Sequence, residues 1–305
     1  LTDDGMKELA GLESLHTLNL QSTKVTDTGM KGLAGLRNLH TLRLHGAKVT
    51  HEGLKELIGL ANLRTLGITG VAVTEAGMKE LSMLENLEKL SLSGTSPTEP
   101  GLKALAGLKN LKSLHWHFSN ALPPLEMDAS LKELARLKSL QSLDFSFSKV
   151  TDAGLKELVG MNALQSLNLG YTKVTDEGLA ALATLPSLQS LELDGTPITD
   201  AGLAHLAKIK SLQTLDIERT KVTDAGLQAL AGMKLKKLNV THNTDLGLKH
   251  YLAAIDVPDE FTLDQWPITD EGMKALAKLT NLRKLSLRYT KNVTDVGLKE
   301  LAGLK

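Results

Sequence analysis

Apolar residues recur along this chain with a spacing that changes within every two dozen residues. In VTDTGMKGLAGLRNLHTLRLHGAK, residues 25–48, Met30, Leu33 and Ala34 fall at the three- and four-residue spacing of one helical face. Further on, Leu39, Leu42 and Leu44 pass to the two-residue alternation of a strand at the final pair. Thr26 or Asp27 stands where a helix N-cap accepts a backbone N–H, and Gly35 stands where a helix stops. The pattern predicts a short helix, a turn and a short strand.

The same segment returns throughout. Val/Ile-Thr-Asp-x-Gly-Leu/Met starts fall at 1, 25, 49, 73 and 97, then 126, 150, 174, 198 and 222, then 243, 268 and 293. Most steps are 24 residues; the step from 97 is five longer, that from 222 three shorter, and the last two are one longer. One strand and one helix cannot bury their apolar sides alone, so each repeat must stack on its neighbours. Strands pack about 4.8 Å apart and helices about 8–10 Å, which places the strands on the inner side of a curve. The expectation is an α/β solenoid, an arc or horseshoe with a parallel sheet on the concave face and short helices on the convex face. It would run as one domain over 1–305, with twelve strand-bearing repeats, a C-terminal half repeat, an insertion at 121–125 and irregular repeats over 222–267.

Two further positions recur. A glycine holds the fifth place in twelve of the thirteen starts, with Ser130 the exception. Glycine weakens a first helical turn, so its return points to close approach between neighbouring repeats. Phosphate cradles instead need glycines clustered at one place. Three residues after the last apolar strand residue comes a small polar side chain: Thr23, Thr95, Ser119, Ser148, Thr172, Thr196, Thr220, Asn243 or Thr290. Such a side chain can satisfy backbone groups where the chain turns off the strand. Ala47, Val71 and Trp266 interrupt this series.

The pattern LxxLxLxxT-x-VTDxGL resembles the leucine-rich-repeat family across essentially the whole chain, and within it the bacterial and F-box-associated type in which Thr follows the strand. The resemblance implies the arc and its concave parallel sheet. It also implies a scaffold for protein recognition, with the partner left open. No F-box or kinase segment accompanies the repeats.

Composition narrows the function classes. With 35 Lys plus Arg against 35 Asp plus Glu there is no global field to attract nucleic acid or acidic lipid. The absence of cysteine removes disulfides, thiolate metal sites and a thiol nucleophile. No stretch approaches the roughly 20 apolar residues of a membrane span. The start at Leu1, part-way into a repeat, is what removal of a leader or of an upstream domain would leave.

Structural positions repeat in a solenoid, so function should sit where copies differ. In LKSLHWHFSN, alternation turns His115 and His117 outward and Trp116 inward, with Phe118 at the strand edge. ALPPL at 121–125 should project as a loop. The next strands add Asp144, Phe147 and Tyr171. Phe118, Phe147 and Tyr171 stand where other repeats carry Gly46, Gly70, Gly94 and Gly195. Either this aromatic stripe contacts a partner, or it covers the insertion. LELDG and LDIER then place Glu192, Asp194, Asp216 and Glu218 on the same face with Arg219 beside them, an acidic group for a basic ligand or a solvated patch.

Other chemistry is thin. His115, His117 and Asp144 form a conceivable N/N/O metal set that lacks a third nitrogen. No nucleophile, base and orienting group come together, and an open sheet offers no water-excluding pocket, so neither enzyme activity nor a cofactor is expected. Trp266 should plug the space left by the short repeat. The expected function is non-catalytic recognition of a protein or peptide with basic and apolar segments, without nucleic acid or membrane. The alternatives are a structural or adhesive spacer, or the recognition part of a larger effector or sensor.

Overall fold

The computed structural model describes residues 1–70, 73–93, 99–117, 127–241, 244–257 and 259–304, with Ser93, Glu99 and His117 described by their backbone alone. Phe118 and the 121–125 insertion lie outside the described residues. The chain forms two compact units, Leu1–Lys173 and Val174–Lys305.

In the N-terminal unit, strands β1 (Thr17–Asn19), β2 (Thr41–His45), β3 (Thr65–Thr69), β4 (Lys89–Ser93), β5 (Ser113–His117), β6 (Ser142–Asp144) and β7 (Ser166–Asn168) alternate with short helices. Each strand pairs in parallel with the next, and like positions face like positions. This register builds straight rows of core side chains. Leu42, Leu66, Leu90, Leu114, Leu143 and Leu167 form one row, and Leu44, Ile68, Leu92, Trp116, Phe145 and Leu169 form a second, all buried. Burying each such side chain is worth about 1.5–3 kcal/mol, and the gain exists only because a neighbouring repeat covers it.

The C-terminal unit repeats the plan with β8 (Ser190–Glu192), β9 (Thr214–Asp216) and β10 (Lys237–Asn239), paired in order, and with β11 (Glu260–Thr262) paired to β12 (Lys284–Ser286). The short repeat beginning at 222 carries a 3-10 helix, Gly226–Leu230, where its neighbours carry α-helices. Tyr251, Phe261 and Trp266 then replace leucine packing with an aromatic cluster. Trp266 meets Tyr251 edge-on with ring centres 5.4 Å apart and Phe261 at 6.5 Å. The Tyr251 hydroxyl donates to the Leu238 carbonyl at 3.1 Å, and burial pushes its pKa above the usual tyrosine value. Trp266 is thus packed as the sequence suggested, though it stays half-buried.

The two helix-start residues divide their work between repeats. Threonine is the cap: Thr199 Oγ1 accepts the Ala201 N–H at 3.3 Å. Aspartate reaches the next repeat instead. Asp176 Oδ1 accepts the Thr199 backbone N–H at 2.8 Å, and Oδ2 accepts its hydroxyl at 2.6 Å. The same pair of bonds joins Asp3 to Thr26, Asp27 to Thr50, Asp128 to Thr151, Asp200 to Thr223, Asp245 to Thr269 and Asp270 to Thr294. The recurrent glycine makes room for this carboxylate: a Cβ at Gly202 would overlap Asp176 Oδ1 and come within 2.8 Å of Leu179 Cδ1. Where His51 replaces the aspartate, the crowding around Gly77 relaxes, and the nearest atom to a Cβ is Val73 Cγ1 at 3.0 Å. The short repeat distorts the link, since Asp224 Oδ2 takes both the amide and the hydroxyl of Thr244 and, among the described residues, the buried Oδ1 has no hydrogen-bond partner.

These links predict acid sensitivity. Asp3 and Asp270 are held below the usual carboxylate range, first by the backbone N–H groups of Thr26 and Thr294, then by the threonine hydroxyls. A lowered folded-state pKa stabilises fully above the unfolded value of about 3.9, and the contribution disappears as the pH falls through the folded value. Asp270→Asn should therefore be less stable than wild type at pH 7, with the gap narrowing below about pH 4. Urea unfolding at a series of pH values checks this; a gap independent of pH would contradict it.

Candidate functional site

Each strand leaves its sheet through a turn that sets the geometry of the exposed residues. In the turn after β7, Thr172 Oγ1 donates to the Leu169 carbonyl at 2.7 Å, and the same bond is made by Thr23, Ser148, Thr196, Thr220 and Thr290 to the residue three before. These six members of the predicted small-polar series are therefore turn locks, and Thr95, Ser119 and Asn243 lie outside the described residues. The residue before each lock is left-handed, with φ of +57° at Ser22 and +68° at Gly195, and the same turn position is left-handed at Gly46 and Gly70, φ +69° and +72°, which precede Ala47 and Val71 instead of a lock. Glycine suits such a place because it has no Cβ to clash.

Phe147 and Tyr171 occupy that same position at φ +61° and +56°. A left-handed conformation costs a non-glycine residue roughly 1–2 kcal/mol. Their rings stack with centres 4.6 Å apart and planes 7° from parallel. Tyr171 is 39% exposed and Phe147 half-buried. Stacking of this kind contributes about 0.5–1.5 kcal/mol. Phe118 shares this register position in the sequence but lies outside the described residues.

Tyr289 is a third left-handed aromatic, at φ +62° and 66% exposed, and the sequence reading passed over it. It lies in the C-terminal unit, where its ring, Gln265, Trp266, Pro267, Lys291 and Asn292 line an open depression of about 490 Å³. The signal was present: LSLRYT aligns with LNLGYT and shares its two leucines, tyrosine and threonine.

His115 is exposed on β5, with Nε2 3.2 Å from Ser113 Oγ and 3.4 Å from Ser142 Oγ, and Trp116 is fully buried, as alternation required. His117 is on the same strand, and its side chain is outside the description. Asp144 is in register with His115, but its Oδ1 accepts the Ser146 N–H at 2.9 Å and shapes the turn. Among the described residues no three His, Asp or Glu side chains converge on a metal position. No helix among them is long and apolar enough to cross a membrane.

In the C-terminal unit, Glu192 lies opposite Asp216 in the β8–β9 ladder. Asp216 is partly structural, accepting the Glu218 N–H at 3.0 Å and the Asn239 side-chain amide at 2.6 Å. Arg219, exposed and left-handed at φ +55°, brings Nη1 to 3.9 Å from Asp194 Oδ2. Asp194 nevertheless has a raised pKa, through partial burial first and then the Asp216 charge, with Glu218 adding to it and Arg219 opposing. Like charge from Asp216 and Glu218 thus acts on Asp194, with Arg219 opposing it.

Helix-and-strand repeats locked by threonine turns define a leucine-rich-repeat fold. The family description "Leucine-rich repeat region" matches residues 6–204, and "Leucine Rich repeat" matches 208–231 and 278–302, so the chain belongs to the leucine-rich-repeat family. An internalin of Listeria monocytogenes is 26% identical, with 99% of this chain and 93% of that one covered and a TM-score of 0.65. A leucine-rich-repeat protein of Leptospira interrogans is 22% identical, with 98% and 74% covered and a TM-score of 0.60, and shows the shared fold. No curated protein sequence matches. Leucine-rich-repeat folds commonly mediate protein–protein recognition, and such scaffolds are generally non-enzymatic.

Proposed function

We propose that this chain binds a protein or peptide partner through the exposed face of its strands and the left-handed turns that follow them. The observation that carries this reading is the stacked pair of rings, Phe147 and Tyr171, at left-handed turn positions that Gly46, Gly70 and Gly195 fill in three other repeats and Ser22, Arg219 and Gln265 in three more. Sparsely populated backbone conformations cluster at functional positions. Exposed aromatics also make good interface anchors, since they bring large area with few rotatable bonds. His115, His117, Phe118 and Asp144 belong to the same face by sequence register. In the C-terminal unit, Glu192, Asp194, Asp216 and Glu218, with Arg219 at their edge, favour a basic partner segment, because a cation relieves their repulsion. The two bacterial neighbours favour the bacterial type of the family.

The test is affinity capture from the native lysate with wild type and with Phe147→Gly plus Tyr171→Gly. Glycine restores the residue of the regular repeats, so the double variant should keep its fold while losing a specific partner by tenfold or more. Equal capture by both proteins would remove the aromatic pair from the interface.

A further inference from the structure

The exposed face of the N-terminal unit holds a second feature that the aromatic pair does not explain. Arg43, Gly67, Ser91 and His115 occupy successive strands in the same register. The two central residues are small, and the gap above them forms a depression of about 230 Å³ rimmed by Arg43, His45, Lys89 and His115. Gly67 forms its floor. It is buried, although the equivalent Arg43 and His115 are exposed.

The chemistry of the rim is one-sided. No carboxylate lines the depression, while hydroxyls of Thr65, Ser91 and Ser113 do. On the neighbouring edge of the same strands cations are matched, since Glu88 holds both Arg64 at 3.0 Å and Lys112 at 2.8 Å. The side chains of Arg43 and Lys89 make no hydrogen bond or ion pair among the described residues. Two unmatched cations around a concave floor attract an anion, and guanidinium presents a fork suited to a carboxylate. The volume lies below the roughly 300–1,000 Å³ of small-molecule sites, so it suits one side chain better than a free metabolite.

We infer that the Arg43–His45–Lys89–His115 depression receives an acidic side chain, Asp or Glu, of a peptide or protein partner. This rests on the recognition function proposed above and gives the partner a chemical feature that the aromatic pair leaves undefined. Arg43 and Lys89 supply the charge, the serine hydroxyls and imidazoles supply further hydrogen bonds, and Gly67 supplies the room.

Gly67 offers a direct test. A Cβ there would meet its nearest neighbours, His45 Nε2 and Arg43 Cγ, at 3.6 and 3.7 Å, ordinary contact distances, so the backbone position accepts a side chain. Gly67→Glu puts a carboxylate from the protein itself into the depression. The probe is fluorescein-labelled hexaglutamate followed by anisotropy, with hexaglutamine as the neutral reference and inorganic phosphate as competitor. Wild type and Gly67→Ala should bind hexaglutamate at least tenfold tighter than hexaglutamine, and Gly67→Glu should lose that preference. Arg43→Gln plus Lys89→Gln, on the surface, should lose it too and covers the case in which Gly67→Glu fails to fold. Retained preference in a folded Gly67→Glu protein, or none in wild type, would overturn the proposal. Displacement by phosphate at concentrations equal to the peptide would overturn it in favour of a phosphate site. Capture of the lysate partner that depends on Phe147 and Tyr171 but not on Gly67→Glu would leave the recognition reading standing and remove this one.

Discussion

Leu167→Asp is expected to destabilise the N-terminal unit by about 4 kcal/mol or more, while Asn168→Asp should change stability by less than about 1 kcal/mol. The two residues are neighbours on β7 and face opposite ways. Leu167 is 1% exposed and paired with Leu143 in the core row, so a carboxylate there is buried without a partner. Asn168 is half-buried on the open face, where its Oδ1 accepts the Gly170 N–H at 2.9 Å. Aspartate keeps that acceptor, and the only new cost is a like charge opposite Asp144, worth a few tenths of a kcal/mol at a solvated position. Urea unfolding of the two variants measures both numbers. Similar losses would mean that the strand faces are assigned wrongly.

The second large effect concerns the aspartate links. Gly→Ala in a helix ordinarily stabilises by roughly 0.5–1 kcal/mol. Gly202→Ala should do the reverse and cost about 1–3 kcal/mol, because the new methyl displaces the Asp176 carboxylate from Thr199. Asp176→Ala alone should also be costly, as it strips a charged acceptor from two donors, each such bond contributing about 1.5–3 kcal/mol. In the Asp176→Ala background the methyl meets no carboxylate, so Gly202→Ala should become close to neutral. A double-mutant cycle isolates this coupling. Additive losses would show that the glycine answers to something other than the aspartate, Leu179 Cδ1 being the nearest alternative.

The repeat and its packing were readable from residue spacing, because a period repeated a dozen times overwhelms local ambiguity. Trp116 buried beside an exposed His115, and threonine turning the chain off each strand, both followed from strand alternation and polar satisfaction. The role of the aspartate did not. Asp and Thr stand side by side at a helix start, and either can cap it, so only coordinates reveal that one carboxylate reaches 23 residues onward. The aromatic positions were visible as exceptions to glycine, but their left-handed backbone was not, and that conformation is what separates a tolerated substitution from a strained one. The cationic depression was hidden for a different reason. Its residues are unremarkable singly and gain meaning only when register sets Gly67 and Ser91 between Arg43 and His115.

Whether the strand face or the helix side meets the partner is decided most directly by site-specific photo-cross-linking. p-Benzoylphenylalanine placed at Phe147 or Tyr171 keeps an aromatic at the left-handed turn, and the same group placed at Lys156 samples an exposed position on the helix Asp152–Glu157. In the native lysate, both turn positions should yield one and the same cross-linked partner, and Lys156 should yield none of it. A partner trapped from Lys156 and absent from both turn positions would contradict the account and place recognition on the helices.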